Sequence, residues 1–354
     1  MTTPDNMQKE MRLRPTLVIG LGGSGYQVAV QLKARLVEAF GNEAGYDDVV
    51  KFMVLDTANE NFKAPQPNHP ERDPVGLSAG REFVRISDVP LQELMANRNK
   101  MIGERRLTGV YKHLPKTLRS SHIDQGAQQI RRLGRIALFH RYQDVKERMS
   151  IVIRDLLKMR DTRTRGDVDL KVDQRQRLRV YIVCSICGGT GSGTFIDMAY
   201  ITRYIAETQN LPPQNVDVVG MLMLPEAFPN VSTTGADRIR ANACAALLDL
   251  EYYNQDTIND DTIYYEDFGV EQVPGRSRPF NICYLVGGSN SASLTVDGVK
   301  ELAPMLADSI FTMISSRVGE QLDATLDNIK VVTTQYHEDG HRRLYSGIGI
   351  SKLY

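Results

Sequence analysis

Residues 187–194 (CGGTGSGT) have the residue types and spacing of a phosphate-binding loop. Glycines let backbone N–H groups close around phosphate oxygens, and a helix that follows adds the partial positive charge of its N-terminus. The stretch has no lysine, so it is not the G-x-x-x-x-G-K-[ST] loop. It would therefore bind an anion through backbone amides, Thr and Ser hydroxyls and a metal ion, which indicates a nucleotide.

Alternating strands and helices must position this loop. The apolar run 180–184 predicts a strand before it, and 195–205 predicts a helix after it. A second glycine turn, 20–25 (GLGGSG), lies between a predicted strand at 15–20 and a predicted helix at 26–40, and residues 49–56 predict another strand. Near-continuous apolar strands that alternate with helices predict an α/β fold, with a mostly parallel sheet and helices on both faces.

Composition excludes several classes of function. Lys+Arg and Asp+Glu are equal in number, at 43 each, so charge indicates no direct nucleic-acid partner. No apolar run reaches the ~20 residues of a membrane span, and residues 1–13 lack a signal-peptide core, so we expect a cytoplasmic protein without membrane insertion. Cys184 and Cys187 have metal-ligand spacing but no second pair, and we interpret them as small apolar residues.

The turn at 20–25 also fits the G-x-G-x-x-G fingerprint of dinucleotide-binding domains, and Asp56 at the end of the next strand could bind a ribose. A Rossmann-type NAD(P)-dependent oxidoreductase is therefore an alternative. A dinucleotide site needs only one such loop. Two glycine loops at one sheet edge favour a single nucleotide that is held from two sides.

The chain resembles the tubulin/FtsZ superfamily of GTPases. GGTGSG at 188–193 matches the signature GGGTGSG of that family except at its first position, where Cys187 stands, and GLGGSGYQ resembles the first phosphate loop. The resemblance implies GTP or GDP and Mg²⁺ as ligands. The implied nucleotide-binding residues of these two loops are Gly22, Gly23, Ser24, Gln27, Gly188, Gly189, Thr190, Gly191, Ser192, Gly193 and Thr194.

The resemblance extends to further loops. Asp56 would lie near the metal or phosphates, and Gly126 and Ala127 begin a segment that resembles the third phosphate loop, for which residues 76–80 are a competing candidate. Arg238 is implied to lie near the nucleotide. Asn290 and Asp308 are implied to contact the guanine base.

Residues 319–330 (GEQLDATLDNIK) resemble the catalytic loop of the family. Asp323 and Asp327 would then polarise the water that attacks the nucleotide of the neighbouring subunit. Asp327 keeps the family distance from Gly319, whereas Asp323 is offset by one position. The alternative is a solvated helix with two aspartates four residues apart.

The resemblance implies a Rossmann-like nucleotide-binding domain at 14–298 after a polar extension at 1–13. A long core helix at 299–318 would lead to residues 319–354, the catalytic loop and the start of a truncated second domain. The implied function is GTP hydrolysis coupled to head-to-tail self-assembly into filaments, with the chain itself as partner and protein adaptors as further possible partners. A nucleotide-binding interaction module without hydrolysis is another alternative.

Overall fold

The computed structural model describes most of the chain, and the structural statements below refer to that part. Side chains are described for residues 14–41, 45–58, 75–92, 126–158, 177–253, 278–289, 295–315 and 324. Backbone alone is described for short strands at 11–13, 101–102, 105–106, 163–165, 168–172 and 345–348. Asn290, Asp323 and Asp327 lie outside the described residues.

The described strands and helices alternate along most of the chain. The strands are β1 Met11–Leu13, β2 Thr16–Leu21, β3 Val50–Asp56, β4 Phe83–Arg85, β5 Met101–Ile102, β6 Arg105–Arg106, β7 Arg163–Arg165, β8 Val168–Val172, β9 Leu178–Ser185, β10 Val216–Met223, β11 Ile282–Val286 and β12 Tyr345–Ile348. The α-helices are α1 Gly22–Phe40, α2 Arg131–His140, α3 Tyr142–Leu157, α4 Thr190–Thr208, α5 Thr233–Tyr253 and α6 Val299–Ser315. Short 3-10 helices lie at Pro213–Asn215 and Pro225–Ala227.

A seven-stranded sheet organises the fold, in the order β12-β11-β10-β9-β2-β3-β4. Every neighbouring pair in it is parallel. All residues of the central strands β2, β9 and β10 are buried, as expected for a parallel sheet that is covered on both faces. The predicted α/β fold class is confirmed.

Helices cover the two faces of this sheet separately. Val18 and Tyr181 pack in one core with residues of α1 and α6, including Leu32 and Leu306. Alternate strand residues such as Ile19 point the other way, into a core formed with α2, α3, α4 and α5. This two-residue alternation places α1 and α6 on one face and the other four helices on the opposite face.

Two helices begin earlier than the sequence predicts. Helix α1 begins at Gly22 rather than at residue 26, and α4 begins at Thr190 rather than at residue 195. The sequence predicts loops for both glycine stretches, because glycine has a low helix propensity. In the structure the second half of each glycine stretch forms the first helical turn, so its N–H groups are those of a helix N-terminus.

Three further sequence predictions differ from the structure. The helix predicted over 134–157 is divided, because Arg141 with φ −100° and ψ 18° ends α2 and precedes α3. The segment 158–179, interpreted as a loop, contains strands β7 and β8. These strands form a three-stranded sheet with β1, which lies inside the predicted polar extension.

A buried ion pair joins α1 to the segment that leads into β4. Lys33 Nζ lies 2.7 Å from Glu82 Oε2, and the two side chains are 1% and 6% exposed. Lys33 also donates to the Gly76 carbonyl, and Glu82 accepts from the Ser78 N–H. These contacts lie inside the protein, so removal of one charged partner leaves the other charge buried without its counter-charge.

We expect Glu82→Ala to lower the free energy of unfolding by about 3–5 kcal/mol, because it leaves the Lys33 charge buried without its counter-charge. The double variant Lys33→Met/Glu82→Leu should recover most of this loss, because it removes both charges. Urea unfolding measures the effect. Glu38→Ala, which breaks an exposed pair with Arg35 on the same helix, should cost less than about 1 kcal/mol. A cost for Glu82→Ala as small as that of Glu38→Ala would contradict the prediction.

Candidate functional site

The two glycine loops lie in direct contact at the carboxyl edge of the sheet. Strands β2 and β9 are neighbours, with Leu21 paired to Cys184, so both loops leave the sheet side by side. Gly22 has φ +71°, and a Cβ there would lie 3.4 Å from Thr190 Cβ and 3.5 Å from Gly191 N. The two loops therefore lie at one edge of the sheet, as the sequence predicts, and they also contact each other.

Both helices that begin at these loops lack a side-chain N-cap. Leu21 precedes α1 and Gly189 precedes α4, and neither forms a capping hydrogen bond. The backbone bonds of the described residues include none donated by the N–H groups of Gly188–Ser192, whereas Cys187 N–H donates to Ser185 Oγ. Uncapped N–H groups at two adjacent helix N-termini suit an anion such as a phosphate.

The glycines of these loops fall into two groups. A Cβ at Gly23 or Gly188 would meet nothing within 4 Å. A Cβ at Gly191 would lie 2.7 Å from the Ser185 carbonyl oxygen, and one at Gly189 would lie 2.6 Å from Ala127 Cβ. Gly193 packs in the same way against the Arg131 carbonyl. Gly23 and Gly188 therefore border open space, while Gly189, Gly191 and Gly193 are required by packing.

A chain of hydrogen bonds links the end of β3 to both neighbouring loops. Ala127 N–H donates to Thr57 Oγ1 at 2.8 Å, and Thr57 Oγ1 lies 2.7 Å from Thr190 Oγ1. Thr190 Oγ1 in turn donates to Asp56 Oδ1 at 3.3 Å. Asp56 is buried, and its Oδ1 also accepts from Thr57 N–H at 2.7 Å. The structure therefore brings Asp56, Ala127 and Thr190 together.

The segment that contains Gly126 and Ala127 has an unusual backbone. Gly126, Gln128 and Gln129 have φ values of +93°, +44° and +59°. The left-handed region is unfavourable for glutamine, so the two glutamines are held there by their surroundings. Ile130 N–H donates to the Ala127 carbonyl and leads into α2.

Asn242 of α5 holds this segment against the second glycine loop. Its Nδ2 donates to the Gln129 carbonyl at 2.8 Å and to the Cys187 carbonyl at 2.9 Å. Sequence reasoning missed both Asn242 and Thr57. Thr57 could have been found, since it follows Asp56 at a strand end. A single asparagine inside a helix gives no such signal.

Two predicted side chains of the second loop face the protein. Ser192 is buried, and its Oγ accepts from Arg131 Nε at 2.6 Å. Thr194 is also buried, and its Oγ1 donates to the Thr190 carbonyl at 2.8 Å. In the first loop Ser24 is half-buried, and Gln27 is exposed on α1. Direct nucleotide contacts by these four side chains stay predictions.

Arg238 and Asp308 have different relations to the glycine loops. Arg238 is exposed on α5, four residues before Asn242, so it lies one turn away on the same helix face. Asp308 Oδ1 is 3.3 Å from Arg35 Nε. Since Arg35 lies about 20 Å along α1 from Gly22, the structure does not bring Asp308 to the glycine loops.

The cysteines next to the loop are not poised as thiolates. Burial raises the pKa of Cys187 to about 11, although a hydrogen bond with Ser185 opposes this shift. Burial and the neighbouring Cys187 also raise the pKa of Cys184. No group of three or more His, Cys, Asp or Glu in the described ranges could hold a metal ion. Burial of both thiols agrees with the interpretation of both cysteines as small apolar residues.

A cavity of about 280 Å³ lies on the flank of the site, between α2, α4 and α5. Arg135 makes a bidentate pair with Asp197 at 2.8 and 3.0 Å, and Arg131 Nη2 lies 2.6 Å from Asp249 Oδ2. Both arginine charges are therefore balanced by aspartates, in pairs that are partly exposed. The cavity walls tie α2 to α4 and α5.

A family model described as tubulin-like matches residues 17–354 of the chain. No curated protein matches it significantly. None of the helices in the described ranges has the length and hydropathy of a membrane span.

Several solved structures resemble the chain at low identity. CetZ2 from Haloferax volcanii, as a GTPγS-bound protofilament, is 17% identical with a TM-score of 0.40, and the match covers 90% of this chain and 62% of that one. CetZ1 from Haloferax volcanii, as a GDP-bound monomer, is 13% identical with a TM-score of 0.39 and coverages of 83% and 58%. An FtsZ mutant from M. jannaschii is 12% identical with a TM-score of 0.39 and coverages of 86% and 57%. The chain thus spans less than two thirds of the length of these structures.

The two groups of glycines predict opposite effects of an added methyl group. We expect Gly191→Ala to lower the free energy of unfolding by about 1–3 kcal/mol, because its Cβ would overlap backbone at the end of β9. Alanine normally stabilises a helix relative to glycine by up to about 1 kcal/mol, so the sign itself identifies the steric conflict. Gly188→Ala should be nearly neutral. Urea unfolding without nucleotide tests both, and stabilisation by Gly191→Ala would contradict the packing.

Proposed function

This chain belongs to the tubulin-like family, and from that premise we propose that it binds GTP across the two glycine loops and hydrolyses it in head-to-tail assemblies of its own copies. The observation that carries the proposal is the contact between two uncapped helix N-termini. Gly22 of the first lies against Thr190 of the second, and the N–H groups of Gly188–Ser192 have no acceptor among the described residues. Phosphate oxygens supply the acceptors that these groups lack.

The phosphates would lie over Gly22, Gly23 and Ser24 on one side and over the second loop on the other. Gly23 and Gly188 border open space, so a ligand can approach their backbone closely. Arg238 on the adjacent face of α5 is the charged side chain that we assign to the phosphates or ribose. We assign Gln27 to the base, because it is exposed on α1 one turn beyond Gly23.

The residues near the end of β3 fit a magnesium ion. Mg²⁺ prefers oxygen ligands and usually binds through one or two carboxylates together with substrate phosphates and water. The Asp56 carboxylate and the Thr190 hydroxyl are adjacent at this edge. They would hold Mg²⁺, which would neutralise part of the phosphate charge. Because phosphate and water would supply the other ligands, the described residues need not include three or more metal-binding side chains there.

The direction of α6 supports a site that is shared between copies. Gly298, just before α6, lies against the Ala227 carbonyl near the carboxyl edge of the sheet. Helix α6 has 17 residues and spans about 25 Å, so it carries the chain toward the opposite edge of the sheet. We therefore assign Asp323 and Asp327, which follow α6, to the nucleotide of a neighbouring copy rather than to their own. Such a head-to-tail contact is heterologous and can propagate as a filament.

We expect purified protein to bind GTP with Mg²⁺, and Gly188→Val to lower that affinity at least about tenfold, because its side chain would occupy the space next to the phosphate-facing amides. Isothermal titration with GTP and with NAD⁺ measures both. Gly80→Val is the matched control, since a Cβ at Gly80 also meets nothing within 4 Å. Gly76 and Glu82, on either side of Gly80, contact Lys33 about 16 Å along α1 from Gly22, so the competing candidate 76–80 lies away from the glycine loops.

The control should bind GTP as the unmodified protein does. Binding of NAD⁺ in place of GTP would favour the oxidoreductase alternative. Unchanged GTP affinity in Gly188→Val would count against this loop as the site.

We expect GTP turnover per molecule to rise with protein concentration, because a neighbouring copy completes the site. Asp327→Ala should lower turnover at high concentration by about a hundredfold or more while GTP affinity is retained, since a group that positions or activates water contributes on that scale. Phosphate release measures turnover. Asp144→Ala, at an exposed aspartate of α3, is the control. A total turnover rate that is linear in protein concentration and unchanged in Asp327→Ala would refute the shared site. GTP binding without turnover would favour a non-hydrolysing module.

A further inference from the structure

Asn242 uses both hydrogens of its amide on two separate loops. The acceptors are the carbonyl oxygens of Gln129 and Cys187, at 2.8 and 2.9 Å. Because both partners accept, the NH₂ group must face them, and the orientation of the amide is fixed. Asparagine is a weak helix former, so its presence in the alanine-rich middle of α5 is not explained by helix stability.

The bond to Cys187 determines the direction of the next N–H group. No peptide bond in the described chain is cis, and in a trans peptide the C=O and the following N–H point in opposite directions. With its carbonyl held toward α5, Cys187 therefore turns the Gly188 N–H away from α5. That N–H has no acceptor among the described residues, and the space around Gly188 is open.

The bond to Gln129 holds a strained segment. Gln128 and Gln129 both have positive φ, which costs about 1–2 kcal/mol per residue for an L-amino acid. Thr57 holds the segment at its other end through the Ala127 N–H. Asn242 and Thr57 therefore fix both ends of residues 127–129 against the second glycine loop.

We propose that Asn242 is the positioning residue of the phosphate site. It aims the Gly188 N–H at the ligand and keeps residues 126–129 in the conformation that borders the loop. It contacts no ligand itself and acts through the backbone of both segments. The proposal rests on the proposed nucleotide function, and its experiment includes a measurement that needs no nucleotide.

The variant Asn242→Asp tests the proposal. At pH 8 the carboxylate would face two carbonyl oxygens with no hydrogen to donate, so we expect GTP affinity to fall about tenfold or more. At pH 5.5 the loss relative to unmodified protein should become smaller, because a carboxyl between two acceptors has a raised pKa and regains one O–H donor. Protonation of GTP affects both proteins equally.

Asn281→Asp is the matched control. Asn281 lies before β11 at the opposite edge of the sheet, where its Oδ1 accepts from Val218 N–H and Arg203 Nη2. Its Nδ2 lies 3.4 Å from Asp217 Oδ1, so a carboxylate there should also destabilise the fold. We expect this variant to lose stability without a pH-dependent loss of GTP affinity.

Hydrogen exchange without nucleotide tests whether Asn242 holds residues 126–129 in place, independently of GTP binding. In Asn242→Asp the N–H groups of Ala127 and Ile130 should exchange faster, while those of β9 should be unaffected. Unchanged exchange together with GTP affinity within about twofold of unmodified protein overturns the proposal, as does an equal, pH-independent loss in Asn281→Asp. If unmodified protein binds no nucleotide, the proposed function fails. Faster exchange in the variant then still supports the role of Asn242 in holding residues 126–129, and unchanged exchange refutes that role.

Discussion

The close approach of two helix N-termini determines the rest of this site. Helices α1 and α4 begin directly at the ends of neighbouring strands, with no capping side chain at either start. Gly22 and Gly191 make the approach possible, because a Cβ at Gly191 would overlap the Ser185 carbonyl and a side chain at Gly22 would be strained at φ +71°. The N–H groups of Gly188–Ser192, which have no acceptor among the described residues, and two helix dipoles therefore face the same space, which is a favourable place for negative charge.

Much of the glycine pattern follows from packing rather than from ligand contact. Gly189 and Gly193 admit the backbone of the segment at 127–131, and Gly134 of α2 packs in return on the Gly189 carbonyl. The same glycines that suggest a phosphate loop thus also join it to the third segment. Gly23 and Gly188 have no such role in the described structure, so they carry the clearest information about a ligand.

The sequence predicted the parallel sheet and the glycine loops at one of its edges, because these depend on local periodicity and on the geometry of parallel strands. It also predicted that Asp56 ends the strand next to them, where the structure places it beside Thr190, and its role at a nucleotide stays a prediction. It did not predict Asn242, whose role arises only where α5 meets two loops that are distant in sequence. Nor did it predict that the Ser192 hydroxyl accepts from Arg131, and the nucleotide contact assigned to Ser192 stays a prediction. Side-chain direction in a helical turn depends on tertiary neighbours, which a spacing pattern does not contain.

The balance of charge indicates how such a site could discriminate between ligands. Arg131 and Arg135 point toward Asp249 and Asp197, which neutralise them on the flank of the site. The second loop contains no lysine, and Arg238 is the cation that we assign to a bound triphosphate in the proposed site. In that proposal backbone amides and a magnesium ion would supply most of the remaining compensation. Amides act only in fixed directions, so recognition would depend on the exact backbone geometry that Asn242 and Thr57 maintain, more than on total positive charge.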